Sequence, residues 1–135
     1  MMSEWKYKEK LFTDCQDYYG FVYSIQNKTN GKTYIGRKYF TSAGYKQVKG
    51  KRKKIRKSSG WENYWGSNEK LKEDVKLLGK ENFKRTILHL CKSRSECQYW
   101  ETAEIFLCHA LVRESFYNQW VSCRINAKNV NSLQL

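Results

Sequence analysis

The sequence predicts a small α+β domain, a three-stranded antiparallel sheet flanked by helices. Two strand-like runs surround an Asn-Gly pair, and a third such run lies between two segments with helical periodicity. At 135 residues the chain is long enough for one modest hydrophobic core. We therefore expect one domain over residues 1–135, with an N-terminal arm over 1–18 and a basic loop insertion over 41–60.

The first two strands are expected to form a hairpin. Residues 21–25 and 32–35 are rich in β-branched and aromatic side chains. Asn30-Gly31 between them suits a turn that needs positive φ. Pairing of the two strands would allow Tyr23 and Tyr34 to lie close together on one face.

A first helix and a third strand are predicted downstream. Apolar residues recur at helical spacing, namely Leu71, Val75 and Leu78. Ser67 or Asn68 can cap this helix, and Gly79 can end it. Ser67 is expected to act as a cap instead of contacting phosphate. Residues 83–91 then have the composition of a strand.

A second helix is predicted after that strand. Ser95 and Gln98 form a capping-box pattern, and the helix would run to about Val112. Because its residues from Ile105 onward are nearly all apolar, we expect a buried central helix.

The charge indicates a polyanionic partner. Lys and Arg total 26 against 13 acidic residues, a formal charge of +13. Many of these cations lie in a stretch without acidic residues that is either a loop or a short basic ribbon: Lys46, Lys49, Lys51, Arg52, Lys53, Lys54, Arg56 and Lys57. We interpret this stretch as a contact to the backbone of double-stranded DNA.

Other classes of protein are disfavoured. The chain contains no run of about 18 apolar residues, which a membrane span would need. Its first residues lack the apolar region of a signal peptide. A cytoplasmic location is therefore expected. The five cysteines are irregularly spaced and are expected to be reduced thiols, not zinc ligands. Neither a membrane partner nor a small-molecule cofactor is expected, and the oligomeric state is left open.

The order of the motifs resembles the GIY-YIG nuclease superfamily. Phe21-Val22-Tyr23 followed by Tyr34-Ile35-Gly36 matches its signature, with Phe-Val in place of Gly-Ile. Residues 61–68 look like the Trp-x-x-Tyr-x-Gly-Ser segment of small phage-encoded homing endonucleases, and residues 79–88 resemble the strand that follows there. The resemblance covers roughly residues 19–126.

The resemblance implies roles for four residues, and the position of Arg37 directly after the Tyr-Ile-Gly motif indicates a role for a fifth. Tyr34 would orient or deprotonate the attacking water, and Tyr23 would assist it. Glu101 would bind one divalent ion, Mg²⁺ or Mn²⁺, in each active site. Asn118 would help to hold the geometry on the metal side, and Arg37 would supply a cation that lowers the pKa of a phenol, which is ordinarily near 10.

Some of these assignments have alternatives within the chain. The superfamily's catalytic arginine falls where this chain has Gly44, so the role is open among Arg37, Arg52 and Arg56. Glu104 competes with Glu101, and Asn126 competes with Asn118.

The sequence therefore predicts a metal-dependent DNA endonuclease that hydrolyses phosphodiester bonds. Two alternatives are a catalytically inactive nucleic-acid-binding module with the same fold and a basic RNA-associated protein. The aromatic residues Trp61, Tyr64 and Trp65 are expected to pack beneath the catalytic face instead of stacking on bases.

Overall fold

A computed structural model describes residues 4–135 and confirms the α+β class. The strands and α-helices are β1 (Trp5–Tyr7), β2 (Lys10–Leu11), β3 (Gly20–Asn27), β4 (Thr33–Tyr39), β5 (Thr41–Val48), β6 (Lys51–Ser58), α1 (Glu69–Leu78), β7 (Phe83–Cys91), α2 (Arg94–Leu107) and α3 (Ala127–Val130). Two 3-10 turns, Trp61–Asn63 and Lys80–Asn82, precede α1 and β7. Within the described residues, no helix has both the length and the apolar character needed to cross a membrane.

The main sheet has five strands in the order β2-β1-β7-β3-β4, not three. The antiparallel set β7-β3-β4 contains the three predicted strands. β1 adds to β7 in parallel, so the sheet is mixed.

The described part of the predicted N-terminal arm over 1–18 packs against the domain and contributes β1 and β2 to the main sheet. Trp5 is 2% exposed, and its Nε1 donates a hydrogen bond to the carbonyl of Trp61 at 2.9 Å. Its ring also lies edge-on to Phe21 at 5.0 Å. A strand of three residues, such as β1, is too short to show alternating apolar and polar residues in the sequence. Its formation therefore depends on tertiary packing. Residues 1–3 of the predicted arm lie outside the described residues.

The predicted hairpin is β3 and β4. Gly31 has a φ of 77°, as its turn position requires. Tyr23 lies opposite Gly36, and Tyr34 lies opposite Ile25, so the two tyrosines are diagonal neighbours.

The basic stretch is a second hairpin, which corrects the predicted loop insertion over 41–60 and agrees with the alternative of a short basic ribbon. β5 and β6 pair antiparallel from Thr41↔Ser58 to Val48↔Lys51, with Lys49 and Gly50 at the turn. Both turn residues have positive φ, 51° and 76°, which matches the right-handed twist of the strands. We call residues 41–58 the basic ribbon. Lysine-rich strands have low β-propensity, which explains why composition favoured a loop.

The helices begin and end partly where predicted. Asn68, not Ser67, caps α1 by accepting a hydrogen bond from the backbone N–H of Leu71, and α1 ends before Gly79. Ser93 caps α2, two residues earlier than the predicted capping box at Ser95.

The prediction of a buried central helix that reaches Val112 is wrong. α2 ends at Leu107, and the chain turns at His109, whose φ is positive. Leu107 and Val112 are 75% and 83% exposed. A continuous apolar run does not specify a buried side, because it lacks the polar stripe that orients a helix.

Apolar clusters lie against both faces of the sheet. One contains Tyr23, Phe40 and Trp61, with Tyr64 and Trp65 packed against it, so the aromatic residues after the ribbon do pack. The other joins β3 and β4 to Cys97 and Ile105 of α2. All five cysteines are free thiols.

Candidate active site

A cleft of about 290 Å³ opens along β4, the edge strand of the main sheet. Its other wall is the tail after α2, which folds back so that the Tyr117 N–H donates to the carbonyl of Thr33 at 2.8 Å. Four of the five residues predicted to be catalytic line this cleft: Tyr34, Arg37, Glu101 and Asn118. Residues distant in sequence therefore converge at one sheet edge.

Tyr34 reaches the cleft through its hydroxyl, which shares a 3.0 Å hydrogen bond with Ser67. Burial raises the pKa of Tyr34, while the hydrogen bond to Ser67 opposes that rise. The phenol is therefore neutral at neutral pH. It can hold a water molecule by hydrogen bonding but is not ionised in this state.

Ser67 is a cleft residue that sequence reasoning assigned to a helix cap. Because Asn68 takes the cap, the Ser67 hydroxyl is left to face Tyr34. Asparagine caps helices at least as well as serine. The adjacent Asn68 was therefore the signal in the sequence that Ser67 was not needed as the cap.

Tyr23 does not line the cleft. Its side chain is fully buried, and no partner among the described residues hydrogen-bonds to its hydroxyl. The hydroxyl lies under Gly36, where an added Cβ would be 2.5 Å away, so the glycine of the Tyr-Ile-Gly motif makes room for Tyr23. Burial, and then the neighbouring phenols Tyr64 and Tyr34, raise the pKa of Tyr23 well above its ordinary value. Tyr23 thus supports the Tyr34 ring, 6.2 Å away, from below.

Arg37 and Glu101 form an ion pair at 2.6 Å between Nη1 and Oε1. Glu101 lies between Cys97 and Ile105 at four-residue spacing, so it is on the side of α2 that faces the sheet. Burial raises the pKa of the Glu101 carboxyl, and the Arg37 guanidinium opposes that rise. The arginine compensates part of the cost of placing a carboxylate there.

Tyr39 orients Arg37 and was not identified from the sequence. The Arg37 Nε donates to the Tyr39 hydroxyl at 3.2 Å. The two residues are two apart on β4 and share a face of the strand, so strand alternation was the available signal.

The competing glutamate lies elsewhere. Glu104 pairs with His89 at 2.8 Å between Oε1 and Nε2, and it is not among the residues that line the cleft. The geometry therefore favours Glu101 as the cleft carboxylate.

Asn118 clamps the cleft wall to β4. Its Oδ1 accepts from the Ile35 N–H at 3.0 Å, and its Nδ2 donates to the Ile35 carbonyl at 2.8 Å. Both polar atoms are engaged with backbone, so this side chain holds the geometry of the cleft. Asn126, the alternative, caps α3 and does not line the cleft.

The two other candidate arginines belong to the basic ribbon. Arg56 donates from Nη2 to the Thr41 carbonyl at 2.9 Å, and the Arg52 guanidinium lies 3.9 Å from the centre of the Tyr45 ring. Neither lines the cleft, whereas Arg37 does.

The chemistry of the cleft fits a hydrated divalent ion bound through one carboxylate. Among residues 4–135 there is no group of three or more His, Cys, Asp or Glu side chains that could enclose an ion. Mg²⁺ commonly binds through one or two carboxylates and keeps several waters. Glu101 supplies one such carboxylate at the cleft.

A tyrosine hairpin beside a helical glutamate is the arrangement expected of a GIY-YIG nuclease. A family model described as "Putative endonuclease segE, GIY-YIG domain" matches residues 5–121. The chain belongs to this family of GIY-YIG endonucleases, which confirms the resemblance and indicates a nuclease function.

A relative named "Putative endonuclease segE", from Enterobacteria phage T4, is 29% identical over 100 residues. The match covers 74% of this chain and 40% of the relative, so the chain corresponds to less than half of that protein's length. No solved structure matches the chain.

Proposed function

We propose that the protein is a metal-dependent endonuclease that hydrolyses phosphodiester bonds in double-stranded DNA. The observation that carries this proposal is the convergence of Tyr34, Arg37 and Glu101 on one cleft in a member of a nuclease family. The proposed setting is the cytoplasm, that of the host cell if the gene is carried by a phage.

Tyr34 positions the attacking water in this proposal. Its neutral hydroxyl, already paired with Ser67, is both a donor and an acceptor at the cleft. Tyr23 and Asn118 act as positioning residues, because one packs beneath the Tyr34 ring and the other fixes the backbone of the next residue, Ile35.

Glu101 is the residue that would hold a single Mg²⁺ or Mn²⁺. The ion, when bound, supplies charge neutralisation at the scissile phosphate and lowers the pKa of bound water. Arg37 opposes the rise in the pKa of Glu101 and presents a planar guanidinium that suits a phosphoryl group.

The basic ribbon contributes affinity for the DNA backbone. All eight of its Lys and Arg side chains are exposed: Lys46, Lys49, Lys51, Arg52, Lys53, Lys54, Arg56 and Lys57. Neutralising phosphates with such side chains releases counterions and favours binding without regard to sequence.

Incubation with supercoiled plasmid tests the proposal. We expect nicked or linear product only when Mg²⁺ or Mn²⁺ is present, and no detectable product from Glu101→Gln. Glu104→Gln is the matched control, because it neutralises a glutamate on the same helix outside the cleft, and it should still cleave. Binding to DNA without cleavage in either ion would identify an inactive nucleic-acid-binding module instead.

A further inference from the structure

The two faces of the basic ribbon differ in chemistry. Residues that lie directly opposite each other in an antiparallel pair share a face, and successive residues alternate. By the register of β5 and β6, one face, which we call the arginine face, carries Tyr45, Gln47, Arg52, Lys54 and Arg56. The other, the lysine face, carries Lys46, Lys51, Lys53 and Lys57. All planar polar side chains of the ribbon are thus on one side.

The two arginines of the arginine face are held in place by neighbours within the ribbon. Arg52 stacks on Tyr45, which orients the guanidinium plane, and Arg52 lies directly opposite Gln47. In the described part of the chain, no hydrogen bond or ion pair occupies the N–H groups of Arg52. Arg56 is fixed by three hydrogen bonds to Thr41. Such preorganisation lowers the entropy lost when these groups bind a partner.

The arginine face continues toward the cleft. The Arg56 guanidinium lies 6.0 Å from the centre of the Tyr19 ring, and that ring lies 5.1 Å from the ring of Tyr39. Tyr39 in turn accepts a hydrogen bond from Arg37, the cleft cation. A ligand laid along the arginine face is therefore directed to the cleft.

We propose that the ribbon lies in the major groove of duplex DNA with its arginine face toward the base edges, so that this hairpin selects the sequence to be cut. The inference rests on the proposed function, because it names how the same enzyme recognises its substrate. The major groove, about 12 Å wide, admits a two-stranded β-ribbon. Strands of eight residues span about 26 Å, which corresponds to about seven or eight base pairs at about 3.4 Å each.

The chemistry of each face fits this orientation. Arginine and glutamine present planar pairs of hydrogen-bonding groups that match guanine and adenine edges. Lysine is a compact charge on a flexible stem, which suits the phosphates along the rim of the groove.

Selection from a randomised duplex library tests the orientation. The parent is the full chain with Glu101→Gln, which keeps bound duplexes intact. One variant carries Arg52→Lys and Arg56→Lys, which keeps the net charge but removes both guanidinium forks. The other carries Lys46→Ala, Lys51→Ala and Lys53→Ala, which removes three charges from the lysine face.

We expect the parent to enrich a motif and the arginine variant to lose about tenfold or more of that enrichment with its salt dependence unchanged. The lysine variant should keep the motif, while the slope of log affinity against log salt falls by about three. The inference is overturned if the parent enriches no motif, if the arginine variant keeps it, or if the lysine variant loses it. If the arginine variant melts well below the parent, Gln47→Ala replaces it with the same criterion.

Plasmid cleavage by the unsubstituted chain separates this inference from the proposed function. If the protein enriches a motif but does not cleave plasmid in any divalent ion, the proposed groove contact is supported and the proposed nuclease function is rejected. Cleavage without a motif retains the nuclease and rejects the groove contact.

Discussion

The two tyrosines of the first hairpin lie close together in different surroundings. Tyr34 reaches the cleft and bonds to Ser67, whereas the hydroxyl of Tyr23 is enclosed beneath Gly36. Burial raises the pKa of both phenols, so neither ionises at neutral pH. We therefore propose two separable roles for the same residue type, one at the cleft for Tyr34 and one in the core for Tyr23.

Replacing each tyrosine by phenylalanine should separate these roles. Tyr34→Phe removes the hydroxyl that we propose orients the water, so we expect the single-turnover cleavage rate to fall by about 10²–10⁴-fold. Tyr23→Phe removes a buried hydroxyl that has no hydrogen-bond partner among residues 4–135, so both rate and stability should change little.

Plasmid cleavage rates and urea unfolding of the two variants provide the measurements, and each variant is the other's control. A larger loss of rate for Tyr23→Phe than for Tyr34→Phe would contradict the assignment.

Glu101 should make the metal-free protein less stable as pH rises. Its pKa is raised in the folded state, mainly by burial, so the folded chain holds this proton more tightly than the unfolded chain. The stabilisation is present below the unfolded pKa and is lost as pH rises through the folded pKa. Gln resembles the protonated form, so Glu101→Gln should have the higher free energy of unfolding at neutral pH.

Urea unfolding of the unsubstituted chain and of Glu101→Gln in EDTA, from neutral to acidic pH, measures the difference between their free energies of unfolding. The advantage of Glu101→Gln should shrink as the pH falls and Glu101 becomes protonated. If Glu101→Gln were instead the less stable protein at neutral pH, with the deficit shrinking as the pH falls, the ion pair with Arg37 and not burial would dominate the pKa of Glu101.

At the scale of elements, the cleft depends on the attachment of the tail to the edge strand β4. Asn118 supplies two hydrogen bonds to the backbone of Ile35, as a neighbouring strand would. The preceding residue, Tyr117, also anchors the tail. Its hydroxyl donates a hydrogen bond to Asp74 at 2.7 Å and accepts one from Asn27 at 3.1 Å. Burial, together with Asp74, raises the pKa of Tyr117 to about 12, so the anchor stays protonated.

Asn118→Ala should loosen this wall of the cleft. It leaves the Ile35 N–H and carbonyl without their partner, and we expect a loss of about 1–3 kcal/mol in the free energy of unfolding. Cleavage should also slow, and the Ile35 amide should exchange faster with solvent deuterium. Asn126→Ala is the matched control because Asn126 caps only the short α3, so its cost should be about 1 kcal/mol or less with cleavage retained. Equal effects of the two changes on cleavage would reject the role of Asn118.

The elements that were predicted correctly are those with a strong local signal. β3 and β4 follow alternation and an Asn-Gly turn, and α1 has a periodic apolar face between Asn68 and Gly79. β1 was not predicted as a strand, and the basic stretch was predicted only as either a loop or a short basic ribbon. β1 depends on a partner 80 residues away in the chain, Trp5 opposite Arg85, and the ribbon consists of residues that disfavour strands.

The candidate site shows the same division. Tyr34 and Glu101 line the cleft as motif order predicts, whereas the choice of Arg37 over Arg52 and Arg56 as the arginine at the cleft required the structure. The burial of Tyr23 depends on packing across the hairpin, and the position of Ser67 at the cleft depends on Asn68 taking the cap. Neither feature produces a periodic pattern that can be recognised in the sequence.

At the scale of the whole molecule, a packed body carries the cleft and a ribbon extends from it. β5 and β6 pair with each other and make few contacts with any other strand or helix. The ribbon begins directly after β4, so the cleft and the proposed DNA contact share one continuous strand-to-strand connection. Stability therefore resides mainly in the body, while we propose that affinity for DNA comes mainly from the ribbon.

Shortening the ribbon should separate affinity from folding. Joining Thr41 to Ser58 through an Asn-Gly turn is geometrically compatible, since these residues are already paired. The change removes all eight cations of the ribbon, so the slope of log affinity against log salt should fall by up to about seven. The midpoint of thermal unfolding should change little, because the residues removed pack mainly on one another.

Weak cleavage by the shortened protein should persist at low salt, because the intact cleft can still collide with DNA and bind it transiently. Loss of folding would place the ribbon within the cooperative core, and an unchanged salt slope would move the DNA contact to another surface.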